Sequence, residues 1–199
     1  MTLPLILASA SPARLALLRQ VGLEPDKVLA SDIDETEFPG EKPRQMAQRL
    51  SHGKAMAIAD QIERGIIIGS DTIPMVGRRI MRKAASVDDV RKSLQLLSHR
   101  RHQIYTGVCV IKKDSDGIRE LHRVVKSIVK FKKLSKEEID YYCASGEGIG
   151  KAGGYTLTGH AESFVSFLSG SFSNIIGLPL FETLNMLNSV GITPHTRNK

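Results

Sequence analysis

Four short segments in the first part of this 199-residue chain place charged and small residues where chemistry could use them. Ser9-Ala10-Ser11-Pro12-Ala13-Arg14 stands where an apolar run hands over to a helix start, with proline at the first helical position. Free amides at such a start favour an anion, and Arg14 in the first turn adds a positive fork. The same residues also read as a serine cap followed by a solvent-facing arginine. Gly69-Ser70-Asp71-Thr72 follows Ile66-Ile67-Ile68, which sets the Asp71 carboxylate among small residues at the end of a buried strand. There it can hold a metal, orient a water or cap a turn. Asp34 and Glu35 form an acidic pair in a loop, either solvated or engaged with a cation. A divalent metal carried with a triphosphate needs only one or two protein carboxylates, because phosphate oxygens and waters supply the rest. Lys54 interrupts an apolar helix face between Leu50 and Ala57, where an ammonium must snorkel out or meet an anion.

Later segments are less specific. Arg78, Arg79, Arg82 and Lys83 read either as an anion-facing group or as a solvated face. Gly150-Lys151-Ala152-Gly153-Gly154-Tyr155 lets backbone approach a phosphate, or is a set of flexible turns; it lacks the spacing of a P-loop. His99, His102 and His122 give no metal-ligand spacing, and no nucleophile elbow is present. Cys109 and Cys143 make neither a metal nor a redox motif and read as buried thiols of a cytosolic protein.

The elements that must position these residues alternate along the chain. Strands are expected at Leu3–Ala8, Val28–Ala30, Ile66–Ile68 and Ile73–Val76. Helices are expected from Pro12 to Val21 and from Pro43 to Ile62, the second with Met46, Ala47, Leu50, Lys54, Ala57 and Ile58 on one face. Ser86 caps a further helix, and Ser135 opens another with capping-box spacing to Glu138. Gln103–Lys113 and Ile118–Lys132 flank a turn and read as a hairpin. A strand near Phe164–Leu168 and a helix from Pro179 to Val190 precede a frayed tail after Gly191. With no repeat or linker, the expectation is one domain over residues 1–199, an α/β fold with a mixed twisted sheet and helices on its faces.

Composition narrows the functional classes. Hydrophobic residues are 41% and no apolar run nears the roughly 20 residues that span a bilayer. The first residues lack a basic region before their apolar stretch, so they read as mature structure and not as a signal peptide. The net charge is +7, which asks for an anionic partner. The basic residues are scattered and aromatics are only 5%, so a nucleic-acid binder ranks last.

Taken together, LILASASPARLALL, the acidic loop DIDET, the helix with Lys54, IIIGSDTI, HQIYTGV, GKAGGYTLTG and GSFSNIIGLPLFET resemble the Maf family of nucleoside triphosphate pyrophosphatases. The resemblance runs over nearly the whole chain and rests on the order and spacing of the motifs. It implies two lobes flanking a deep cleft, and hydrolysis of a nucleoside triphosphate to the monophosphate and pyrophosphate with a divalent metal, Mg²⁺ or Mn²⁺. That is a hydrolase acting on acid anhydrides, with a house-cleaning role on surplus or non-standard nucleotides. By the same resemblance, Ser11 and Arg14 match the phosphate element, Glu35 the acidic-loop glutamate, Lys54 the helix lysine and Asp71 the proton acceptor. Lys83 and Lys151 match later lysines of the cleft, and Glu35 and Asp71 are the implied metal ligands. A cytoplasmic homodimer is implied, with no membrane and no specific nucleic-acid partner.

Departures from the family pattern bear on the base. Ala13 replaces an arginine usual in the dTTP/UTP branch and Thr158 replaces a glutamine, while Thr72 agrees with that branch. Losing a long donor and an amide broadens base selection, which favours a general nucleotide pyrophosphatase over a strict dTTP/UTP enzyme. Arg82-Lys83-Ala84 stands where Glu-Lys-Pro is usual. A catalytically weak nucleotide-binding regulator of septum formation is the competing reading.

Overall fold

A computed structural model describes residues 3–194 of the chain. Leu5–Ala8 forms β1, and all four residues are buried, as in a parallel strand covered on both faces. β1 pairs in parallel with β2 (Lys27–Val28) and with β3 (Gly65–Val76). Helices α1 (Pro12–Gln20) and α2 (Pro43–Ala59) make the crossovers between them. β5 (Arg101–Asp114) and β6 (Gly117–Phe131) are neighbours joined through Ser115-Asp116, the expected hairpin, and β7 (Val165–Ser169) runs antiparallel to β6. The seven-stranded sheet has the order β2-β1-β3-β5-β6-β7, with β4 (Arg79–Ile80) antiparallel on β3. The α/β fold with a mixed sheet is therefore as the sequence implied.

The chain divides into two compact units. The first comprises Met1–Asp71, Thr106–Val125 and Gly177–Lys199, and so contains β1, β2, α1, α2 and α6 (Leu180–Ser189). Its core includes Ile6, Ala8, Ala55, Ile58, Ala59, Ile67, Cys109 and Ile111. Two glycines let α2 lie directly on strand backbone. A Cβ at Gly69 would stand 2.3 Å from the Ser51 carbonyl oxygen, and one at Gly107 2.0 Å from that of Ala47. Any larger residue there lifts the helix and moves Lys54 with it. The buried face of α2 includes Ser51 and Ala55 beside Met46, Ala47, Leu50, Lys54 and Ile58, whereas Ala57, expected on it, is only partly buried.

The second unit comprises Thr72–Tyr105 and Lys126–Ile176. It contains α3 (Val87–Leu97) and α4 (Lys136–Ser145), whose N-terminal serines Ser86 and Ser135 both make capping boxes. It also contains a 3₁₀ turn at His160–Phe164 and the short α5 (Phe172–Ile176). Its core gathers Leu94, Leu97, Phe131, Tyr142, Tyr155 and Phe164. His102 is buried in it, edge-on to Phe131 and Tyr155, with Nε2 2.7 Å from the Tyr155 hydroxyl.

Burial pushes His102 down from its ordinary 6.5 to about 4, so the folded protein holds it neutral. Between these values the unfolded chain binds a proton that the folded chain does not. The stability this neutral form gives is complete above pH 6.5 and is lost as pH falls towards 4, by about 3 kcal/mol in the limit. Urea unfolding at pH 7, 5.5 and 4.5 should show that decline, and His102→Gln should flatten it. An equal slope in the variant would remove His102 as the cause.

Two details differ from expectation. The two strands foreseen around Gly69–Thr72 are one continuous strand, β3, so Asp71 lies inside a strand and not at its end. β4 and α5, of two and five residues, are too short to show a periodicity in sequence. The frayed tail lies outside the described residues from position 195 onward.

Candidate functional site

Alternation along β3 decides where Asp71 points. Ser70 and Asp71 face opposite sides of the strand. The Ser70 hydroxyl lies 2.8 Å from both the Gly107 and the Gly177 carbonyl oxygens and donates to one or the other. The Asp71 carboxylate is directed to Lys54, with 2.5 Å between Nζ and Oδ1. The same ammonium lies 2.6 Å from Glu35 Oε1. Lys54 therefore does not snorkel; it joins two carboxylates from separate segments. The lysine and Asp71 side chains are 8% and 10% exposed, whereas Glu35 is 40% exposed. The pair at the bottom is desolvated, while Glu35 reaches it from a rim open to solvent.

Arg14 stands close to this cluster. Its Nε donates to the Gly177 carbonyl at 2.8 Å and its Nη1 to Ser9 Oγ at 3.0 Å. Burial lowers its pKa, opposed by the negative charges of Asp71 and then Glu35. Ser11 takes the N-cap position of α1, but its hydroxyl makes no cap bond to the first-turn amides; its own N–H donates to Ser9 Oγ at 3.2 Å. The capping expected of this serine is thus absent, which leaves its hydroxyl to accept from another donor or to donate to an anion. Ala13 is partly buried in the same turn.

Thr72, Lys83, Lys151 and Thr158 belong to the second unit. Thr72 continues β3 and is partly buried. Lys83 and Ala152 form an antiparallel bridge, and Ala84 N–H donates to the Lys151 carbonyl at 3.1 Å. This stitches the two lysine-bearing segments together, with both lysines exposed. Gly150, Gly153 and Gly154 have φ of +73°, +78° and +70°, so the glycine-rich segment is a run of left-handed turns that side chains would strain. Thr158 is exposed, and its hydroxyl shares a 2.9 Å hydrogen bond with that of Thr156.

Supporting residues escaped the sequence reading. Ser9, Ser70 and the Gly177 carbonyl hold Arg14 and β3 in place, and only the period-two alternation around Asp71 hinted at Ser70. Among the described residues, no three His, Cys, Asp or Glu side chains form a metal cage. Two carboxylates on one ammonium nevertheless suit a hard divalent cation that brings phosphate and water oxygens of its own. Arg14 and Lys54 balance Glu35 and Asp71 in formal charge, so added cationic charge would be needed to hold a polyphosphate there.

The sequence profile of the Maf-like protein family matches residues 4–190. A protein of Rickettsia felis named nucleoside triphosphate pyrophosphatase is 50% identical over 196 residues, covering 98% of this chain and 97% of that one. One of Rickettsia rickettsii (strain Sheila Smith) with the same name is 52% identical over 190 residues, covering 95% and 88%. Among solved structures, the Staphylococcus aureus Ham1 protein aligns with a TM-score of 0.41 and 17% identity, over 72% of this chain and 98% of that one, too loosely to carry an argument. No described helix is long and apolar enough to cross a membrane. The profile match spans the segments that carry Arg14, Glu35, Lys54 and Asp71, and with the two relatives it shows that the chain belongs to the Maf-like protein family.

Proposed function

We propose that this chain is a nucleoside triphosphate pyrophosphatase, a hydrolase of acid anhydrides with a house-cleaning role. The observation that carries it is the single Lys54 ammonium holding Asp71 at 2.5 Å and Glu35 at 2.6 Å, with Arg14 beside them. Its family and its relatives' name point to the same reaction.

In this reading Asp71 accepts a proton from a water as the water oxygen attacks the α-phosphorus. The bond from that phosphorus to the bridging oxygen breaks, pyrophosphate leaves, and the monophosphate keeps the water oxygen. Lys54 orients the Asp71 carboxylate for that proton. Arg14 and the Ser11 end of α1 bind phosphate oxygens, with Lys83 and Lys151 as further phosphate partners. Glu35 and Asp71 would hold Mg²⁺ or Mn²⁺, which supplies charge neutralisation on the phosphate oxygens when bound. The protein's own part is positioning and electrostatics.

Base selection is broad in this proposal, because Ala13 offers no side-chain donor and the Thr158 hydroxyl is paired to Thr156. A cytoplasmic address and a homodimer belong to the same proposal; the free, buried Cys109 and Cys143 suit a reducing compartment. Burial drives the Cys109 thiol up to about 12, so it is no nucleophile here. The test is incubation with a panel of ribo- and deoxynucleoside triphosphates and Mg²⁺ or Mn²⁺, with chromatography of the products. Monophosphate and pyrophosphate from several bases are expected; neither product from any base would overturn the proposal.

A further inference from the structure

Residues 29–42, between β2 and α2, contain no helix or strand, and most of them are exposed. Yet this segment must present Glu35 to Lys54 Nζ at 2.6 Å. A loop of that length holds one geometry only where something fastens it.

Arg49 does so from α2, five residues before Lys54. Its Nε donates to Glu41 Oε1 at 2.7 Å and its Nη2 to Glu41 Oε2 at 2.6 Å. Nη2 also donates to the Thr36 carbonyl at 3.0 Å, immediately after Glu35. The guanidinium carbon lies 4.0 Å from the centre of the Phe38 ring. Three points of the loop, at 36, 38 and 41, therefore meet one planar fork. The Glu41 side chain is only 8% exposed, unlike the Arg19–Glu24 surface pair at 56% and 62%. A bidentate, partly desolvated and stacked arginine is the strong form of an ion pair, and lysine cannot reproduce it. Within the loop, Thr36 N–H donates to Asp34 Oδ1 at 2.8 Å and Phe38 N–H to Glu41 Oε2 at 3.3 Å, so the fastened carboxylate in turn shapes the backbone.

We infer that Arg49 is a positioning residue that clamps the acidic loop and so sets Glu35 against Lys54. The inference rests on the reading of Glu35 as part of the phosphate and metal site. One rigid helix then carries both the lysine that Glu35 meets and the arginine that brings it there. The outer side of Arg49 borders an open pocket with Gln45, Gln48 and His52, so its truncation empties no part of the core.

The test is a four-enzyme comparison of wild type, Arg49→Gln, Glu35→Gln and the double variant, with amide hydrogen exchange on the first two. Arg49→Gln should speed exchange across residues 34–41 by about tenfold or more while β1 and β3 keep their protection. Its kcat should fall about as far as that of Glu35→Gln, with KM moving less, and the double variant should be no more than about twofold slower than Glu35→Gln. Glu41→Gln should reproduce the Arg49→Gln exchange pattern without altering the arginine. Unchanged exchange at 34–41 overturns the clamp whatever the enzyme hydrolyses. A further tenfold loss when Arg49→Gln is added to a slow Glu35→Gln enzyme overturns the positioning role and leaves the site standing. A Glu35→Gln enzyme as fast as wild type overturns the reading of the site, and this inference with it.

Discussion

Asp71→Asn keeps the fold and loses turnover. The substitution is isosteric, and an amide oxygen can still accept from Lys54 Nζ where Asp71 Oδ1 now lies at 2.5 Å. Lys54 also retains Glu35 as a charged partner, so the buried ammonium is not abandoned. The melting temperature should therefore stay within a few degrees of wild type. The chemistry has no such substitute. An amide neither takes a proton from the attacking water nor contributes a charge to a bound cation. Removal of a positioned base typically costs about 10² to 10⁴ in rate, and loss of the charge adds to it. We expect kcat to fall by about 10³ or more, with a smaller change in KM, since the substitution leaves the proposed phosphate-binding side chains unaltered. Pyrophosphate release followed at saturating nucleotide measures it. A kcat within threefold of wild type would take the proton from Asp71.

Much of this site was legible because its residues carry local signals of different kinds. A lysine amid the apolar positions of α2 is conspicuous, and so is a carboxylate after three isoleucines. The capping boxes at Ser86 and Ser135 and the proline opening α1 sit where the helices begin. What remained hidden depends on distant segments. Nothing local to Gly69 or Gly107 says that a helix backbone will lie against them. Nothing local to Ser11 says that its cap bond will be unmade. Asp71 seemed to end a strand because small residues follow the three isoleucines there, yet pairing along the sheet carries β3 on to Val76. Arg49 was invisible for a similar reason: a charged residue on the outer face of a helix looks like solvated surface until the Glu41 and Thr36 contacts are seen. The sequence marks a residue that departs from its local pattern, as Lys54 does, whereas a residue that fits its pattern, as Arg49 does, shows its role only through what the fold brings to it.

Lys54→Met should be costlier than Asp71→Asn, and in two ways. Methionine fits the helix and the apolar neighbours, so α2 itself is not at issue. The loss is electrostatic. Asp71, 10% exposed in its side chain, is left facing Glu35 with no ammonium between them. Breaking a buried pair by removing one partner typically costs about 3–5 kcal/mol, because the remaining charge is uncompensated. Glu35 is 40% exposed and can turn to water, and Arg14 still offsets part of the Asp71 charge, which places the expected loss at the lower end, about 3 kcal/mol. Activity should fall below detection, since the ammonium that orients Asp71 and meets Glu35 is gone. A second variant separates the two effects. Lys54→Met combined with Asp71→Asn removes the uncompensated charge and should recover most of the stability while recovering none of the rate. Urea unfolding of the wild type, both single variants and the double variant closes that cycle. If Lys54→Met unfolds at the wild-type urea concentration, the lysine does not bind the two carboxylates as described. If the double variant is no more stable than Lys54→Met, the cost lies in packing and not in the stranded carboxylate.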